Sequence, residues 1–180
     1  MQFTPAQDES ALVTAAQTDT EMFALLYDRY VQRLYHYCYH RTNNAHDAED
    51  LTSQTFLAAL EGFSHYRRDG HFAAWLFTIA RNKVVDFYRR TPNIPLEEST
   101  VPPMTTDLAG EAEISQQKGV LLRAIRALTE DEQELIRLRY VAELSFAEIA
   151  RALHKSESAT KKMLYRLLAR LKSQMEAGHE

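Results

Sequence analysis

Residues Phe63 to Arg90 read FSHYRRDGHFAAWLFTIARNKVVDFYRR, and this stretch decides how the rest of the chain is read. The Asp69-Gly70 step breaks regular structure, so His65 to His71 forms a short polar loop carrying Tyr66, Arg67 and Arg68. From Phe72 onward, Trp75, Leu76, Ile79, Ala80, Lys83, Val84 and Phe87 recur at helical spacing and make one apolar stripe. Arg81, Asn82, Asp86, Arg89 and Arg90 fall largely on the other side. Between Gly62 and Arg90 six Lys/Arg stand against two Asp, a net +4 in a chain whose total is −4. Single-stranded nucleic acid asks for such a set: cations follow its phosphates, and rings or planar groups hold unstacked bases. A loop beside the helix could also hold an extruded base. The same residues equally suit an amphipathic helix with Trp75, Phe77 and Phe87 in the core and its arginines solvated.

The segment FAAWLFTIARNKVVDFYRR resembles the F-x-x-W-L-x-x-I-A-R-N-x-x-x-D-x-x-R-R signature of extracytoplasmic-function (ECF) sigma factors, the two-domain initiation subunits of bacterial RNA polymerase. Phe72, Trp75, Leu76, Ile79, Ala80, Arg81, Asn82, Asp86, Arg89 and Arg90 carry the match. The resemblance implies that the loop and helix open and read the minus-ten element. The residues it assigns to that task are Tyr66, Arg67, Arg68, His71, Arg81, Asn82, Arg89 and Arg90.

At 180 residues the chain holds one medium domain or two small ones with modest cores. Hydrophobic residues are 45% and charged residues 26%, so disorder throughout is excluded. Cys38 is the single cysteine, which rules out an intramolecular disulfide and a four-cysteine zinc site and fits a reducing cytoplasm. The start MQFTPAQDES lacks a basic-then-apolar signal pattern, and no run of about eighteen apolar residues occurs, so neither secretion nor membrane insertion is expected. Charge is unevenly spread: Met1 to Glu61 has nine acids against three arginines.

Upstream, residues 1–18 show little pattern. From about Thr20 to Arg41, Met22, Phe23, Leu25, Leu26, Tyr30, Leu34, Tyr37 and Cys38 predict a long core helix. His36 and His40, four apart, share a face as zinc ligands do in some enzymes, but no HExxH frame surrounds them, and ring histidines on a partly exposed face account for them better. Thr42 to His46 reads as a turn, and a helix starts at Asp47 with Asp47, Glu49 and Asp50 in its first turn, where the helix dipole favours carboxylates. In the resembling family, D-A-E-D-L-x-Q-E-x-F-L is the surface that docks on the polymerase clamp. Asp47, Glu49, Asp50 and Phe56 match it, whereas Ser53 and Gln54 depart from it.

Downstream, Pro92, Pro95, Pro102 and Pro103 crowd into residues 91–106 with Glu97 and Glu98, which predicts an extended or flexible acidic linker. Asp107 to Gln117 adds acids and starts another helix, and Leu121, Leu122, Ile125 and Leu128 recur at helical spacing. Thr129 with Glu132, and Ser145 with Glu148, are two capping-box patterns. The second opens a short helix, Phe146 to Leu153, and a three-residue turn leads to Ser156, which caps a helix from Glu157 to about Met175. Two short helices so joined resemble a helix-turn-helix, whose second helix enters the major groove by its N-terminal residues. Lys155 to Lys172 has six Lys/Arg against one Glu. Met163, Leu164, Leu167, Leu168 and Leu171 form the buried side, leaving Ser158, Lys161, Lys162, Tyr165 and Arg166 outward; a solvated helix in a bundle would look the same. The stretch Leu144 to Leu171 is similar to the ECF pattern L-S-x-x-E-I-A-x-x-L-x-x-S-x-x-x-x-K-x-x-L-x-R-x-x-x-x-L, with Met163, Leu168 and Ser158 departing from frequent family residues. This resemblance implies minus-thirty-five recognition through Ser156, Ser158, Lys161, Lys162, Tyr165 and Arg166.

The expectation is an all-α protein of two small helical domains joined by a proline-rich linker. They are a sigma region 2 bundle over residues 1–91 and a sigma region 4 helix-turn-helix over 118–180, with the linker at 92–117. What the resemblance implies is a cytoplasmic, non-enzymatic initiation factor without cofactor or metal. Its implied partners are core RNA polymerase at the beta-prime clamp and beta flap, promoter DNA, and an anti-sigma factor. Two alternatives stay open: a stand-alone helix-turn-helix regulator without polymerase docking, and a hydrolase or metal enzyme using His36 and His40. The second has no nucleophile motif and no glycine-rich phosphate loop to support it.

Overall fold

Helix ends explain the order of the first half. The structure, a computed structural model, describes residues 5–67, 70–90 and 111–177. Helix α1, Pro5–Ala16, is followed by α2, Thr20–Thr42, whose first turn is capped by Asp19 accepting the Glu21 amide at 2.9 Å. Asn43 ends α2 in the left-handed region (φ 51°) and donates its amide to the Tyr39 carbonyl at 2.8 Å, a conformation that asparagine tolerates better than most residues. Asn44 then caps α3, Ala45–Gly62, accepting the Asp47 amide at 3.1 Å. Two adjacent asparagines thus turn α2 back on α3, and α3 starts two residues before the expected Asp47. A 3-10 turn, Phe63–His65, leads to α4, Phe72–Arg90.

The first half is held by rings. Leu26, Tyr30, Leu34 and Tyr37 lie on one stripe of α2 and are buried, facing Phe72, Leu76, Phe77, Ala80 and Val84 of α4. Tyr37 meets Phe77 edge-on at 5.5 Å between centroids, and Tyr30 meets Phe72 at 5.4 Å. Residues 1–18, patternless in the sequence, supply α1: Val13 and Ala16 are buried in the same core.

The second half comprises α5, Glu111–Arg126, α6, Glu130–Ile136, a π-helical turn Arg137–Val141, α7, Phe146–Ala152, and α8, Glu157–Ala177. Both expected capping boxes are formed, at Thr129/Glu132 and Ser145/Glu148. Leu128, Leu167 and Leu171 form a small core of their own, while Leu135, Leu138, Leu144, Ile149 and Leu164 join the core of the first half. The halves therefore share buried surface, chiefly where α4 packs on α7 and α2 on the π turn. The proline-rich stretch 92–110 lies outside the described residues.

Candidate polymerase and nucleic-acid interfaces

The loop before α4 is built on an aromatic floor. Phe63 and Tyr66 stack at 6.1 Å with 4° between planes, and Tyr66 lies 4.8 Å from Trp75. Gln17 at the end of α1 donates to the Phe63 carbonyl at 3.3 Å and to the Tyr66 carbonyl at 3.0 Å, fixing the loop from below. Gly70 takes φ 74°, which a side chain would strain. Tyr66 is buried, so it supports the loop more than it faces solvent. Arg67 is exposed and His71 half-buried, and with His65 and Trp75 they line a cleft of 380 Å³ completed by Arg151 and His154 of the second half. Arg68 lies outside the described residues.

Along α4 the expected basic face divides. Asn82, Arg89 and Arg90 are exposed, with Arg89 paired to Asp86 at 3.0 Å. Arg81 instead turns toward the second half, its Nε 4.0 Å from Glu134.

Helix α3 buries Ala48, Leu51, Thr52, Thr55, Phe56 and Ala59 and turns its other side outward. Glu49 and Asp50 are exposed, Asp47 is half-buried, and Asp50 sits 3.9 Å from His46. Phe56, matched to the docking pattern, is only 5% exposed and packs on Tyr27 at 4.6 Å, so it anchors the helix from behind. The outer face carries two residues that the sequence reading missed, Leu57 at 58% exposure and Leu60 at 42%. Their signal was available: they fall outside the buried stripe of their own helix.

Helix α8 places its residues as expected. Ser156 caps it, accepting the Ala159 amide at 3.2 Å, and His154 in the preceding turn has φ 54°. Leu164, Leu167 and Leu171 are buried, and Ser158, Lys162, Tyr165 and Arg166 are exposed. Lys161 is paired to Glu157 at 2.7 Å, which holds its ammonium protonated, and lies 5.6 Å from the Phe146 ring centroid. Among the described residues no group of three His, Cys, Asp or Glu is arranged to hold a metal, and no helix is long and apolar enough to cross a membrane.

Comparisons with known proteins identify the family. Residues 26–92 match the family model of Sigma-70 region 2, and residues 118–171 that of Sigma-70, region 4. The ECF RNA polymerase sigma factor BldN of Streptomyces coelicolor is 38% identical over 182 residues, covering 93% of this chain and 67% of its own. The RNA polymerase sigma factor YlaC of Bacillus subtilis is 31% identical, covering 86% and 92%. The sigma factor RpoE of Bartonella quintana, solved with the anti-sigma factor NepR, shares the fold with a TM-score of 0.64 at 20% identity over 86% of this chain and 96% of that one. The chain belongs to the ECF RNA polymerase sigma factors, transcription initiation factors that direct bacterial core polymerase to promoters.

Proposed function

We propose that the work of initiation is divided between residues 1–91, which dock on core polymerase and open the minus-ten element, and residues 118–180, which hold the minus-thirty-five duplex, with 92–117 as tether. Docking uses the outer face of α3: Asp47, Glu49 and Asp50 with Leu57 and Leu60, while Phe56 holds the helix in place. The observation that carries this assignment is the pairing of exposed leucines with exposed carboxylates on one helix face. A helix that faced only water would have no use for that apolar area. Arg67, Arg68 and His71, with Asn82, Arg89 and Arg90, meet the single strand over the ring floor of Tyr66 and Trp75. Ser158, Lys162, Tyr165 and Arg166, with Lys161, face the duplex. The chain performs no catalysis in this reading and works in the cytoplasm. An anti-sigma protein covering these faces fits the NepR-bound relative.

In vitro transcription with bacterial core polymerase tests the division. Asp50→Ala with Leu57→Ser should weaken core binding by about tenfold or more, equivalent to about 1.4 kcal/mol, with the melting temperature nearly unchanged. Equal loss of binding and melting temperature would make that face structural. Duplex binding with core binding absent in the unaltered protein would favour a stand-alone regulator. Lys161→Ala, Lys162→Ala and Arg166→Ala together should lower the salt slope of duplex binding by about 2 to 3, since each phosphate contact contributes about 0.9.

A further inference from the structure

We propose that Gln17 is a positioning residue for opening the minus-ten element: from the corner between α1 and α2 it sets the direction in which the loop of Arg67 and His71 leaves Tyr66, without meeting DNA itself. This rests on the assignment of that loop to the single strand, and the test below separates the two.

Gln17 lies in the short turn between α1 and α2, and the chain around it is held on both sides. Val13 and Ala16, just before it, are buried in the core. The amides of Thr18 and Asp19, just after it, both donate to the Ala15 carbonyl, at 3.1 and 3.0 Å, and Asp19 then caps α2. From this fixed corner the half-buried Gln17 side chain reaches backbone that lies 46 and 49 residues further along the chain. Its amide nitrogen spans the whole 3-10 turn, donating to the carbonyl of the first residue, Phe63, and to that of Tyr66 just past the last. Both partners are carbonyls, so only the nitrogen end of the amide can face them.

The rings of the turn are placed without this contact. Phe63 meets Phe23 edge-on at 5.1 Å and Phe72 at 5.9 Å, and Tyr66 meets Phe72 at 5.9 Å and Trp75 at 4.8 Å. Ring packing does not fix the backbone beyond Tyr66, whose ψ of 125° turns the next peptide out of the helical turn. A peptide unit is planar, so a hydrogen bond on the Tyr66 carbonyl also aims the Arg67 N–H, and with it the departure of the exposed Arg67. The other end of the loop is held separately, by the His71 carbonyl accepting the Trp75 amide at 3.2 Å in the first turn of α4. Gln17 is the tie at the end that α4 does not reach. A loop set at both ends loses less conformational entropy when it takes up a strand. Releasing the backbone of one residue should weaken strand binding by about tenfold.

The test uses the full chain with bacterial core polymerase. Its probe is a fluorescent single strand covering the minus-ten element of a promoter that the unaltered protein transcribes. Gln17→Met keeps the length of the side chain without its donors, Gln17→Glu keeps its shape but turns acceptors on both carbonyls, and Gln17→Lys supplies donors again. The Met and Glu variants should bind the strand about tenfold more weakly, with permanganate reactivity of thymines in the duplex promoter falling in step. The Lys variant should return to the unaltered level. Core binding, binding of the minus-thirty-five duplex and the melting temperature should stay nearly constant in all three. Unchanged strand affinity in the Met and Glu variants overturns the proposal. So does a Lys variant as weak as the Met variant, or a loss shared equally by core binding and melting temperature, which would leave Gln17 a brace of the fold alone. Arg67→Ala/His71→Ala tests the underlying reading. If that variant loses the strand while Gln17→Glu keeps it, the positioning role alone fails. If it keeps the strand, the loop does not meet single-stranded DNA and the positioning role falls with it.

Discussion

The two halves are stabilised by different means. The first is a ring-filled core: Tyr30, Tyr37, Phe72 and Phe77 are fully buried and meet edge-on between α2 and α4. The second has short helices, α6 and α7 of seven residues each, an aliphatic core and a capping box at the start of both. Helices that short are marginal by themselves. The second half thus depends on its caps and on the surface it shares with the first. The first half is a ring-packed platform, and the second is a lighter module that leans on it.

Phe77→Ala should break the platform, costing about 3–5 kcal/mol and read as a large drop in the melting transition. Cys38 gives that loss a local reporter. Burial pushes its thiol up to about 12, so a disulfide reagent at pH 7.5 should react only as the first half opens. In Phe77→Ala that reaction should quicken by more than a hundredfold, given about 1.4 kcal/mol per tenfold. Thr129→Ala, which removes one cap of the lighter module, should cost about 1 kcal/mol and leave the Cys38 rate nearly unchanged. If both variants speed the thiol alike, the halves unfold as one and the contrast fails. The smallest effect is on pH. Burial first, then His36 and Arg137, hold the His40 imidazole below its usual pKa. The unfolded chain therefore binds the proton more readily, so stability is full above about pH 6.5 and falls as pH drops below it. His40→Gln should flatten the part of that loss seen by denaturant unfolding at pH 7.5 and 5.5.

Much of this was legible in the chain. Helices α4 and α8 show their stripes plainly, and both capping boxes are visible as Ser/Thr followed by Glu three residues on. What stayed hidden depends on distance along the chain. Glu134 looks solvated because its partners Tyr37 and Arg41 lie more than ninety residues away. Phe56 and Tyr66 matched or neighboured functional motifs, and only packing against Tyr27, Phe63 and Trp75 shows them turned inward. Helix α1 offers few large apolar residues, so its periodicity is faint until Val13 and Ala16 find the core. The carboxylates from Asp47 onward look like a first turn, whereas α3 starts at Ala45 because Asn44 is the residue that accepts the first amide.

Gln17 gives the N-terminus a reach that its sequence conceals. Because one amide side chain bridges the Phe63 and Tyr66 carbonyls, trimming the protein back past residue 18 would loosen the turn before α4 without altering any residue of it. Such a truncation would be scored as a defect of that turn, although every residue of the turn is intact. Its cause would lie in a lost brace some fifty positions upstream of the turn it holds.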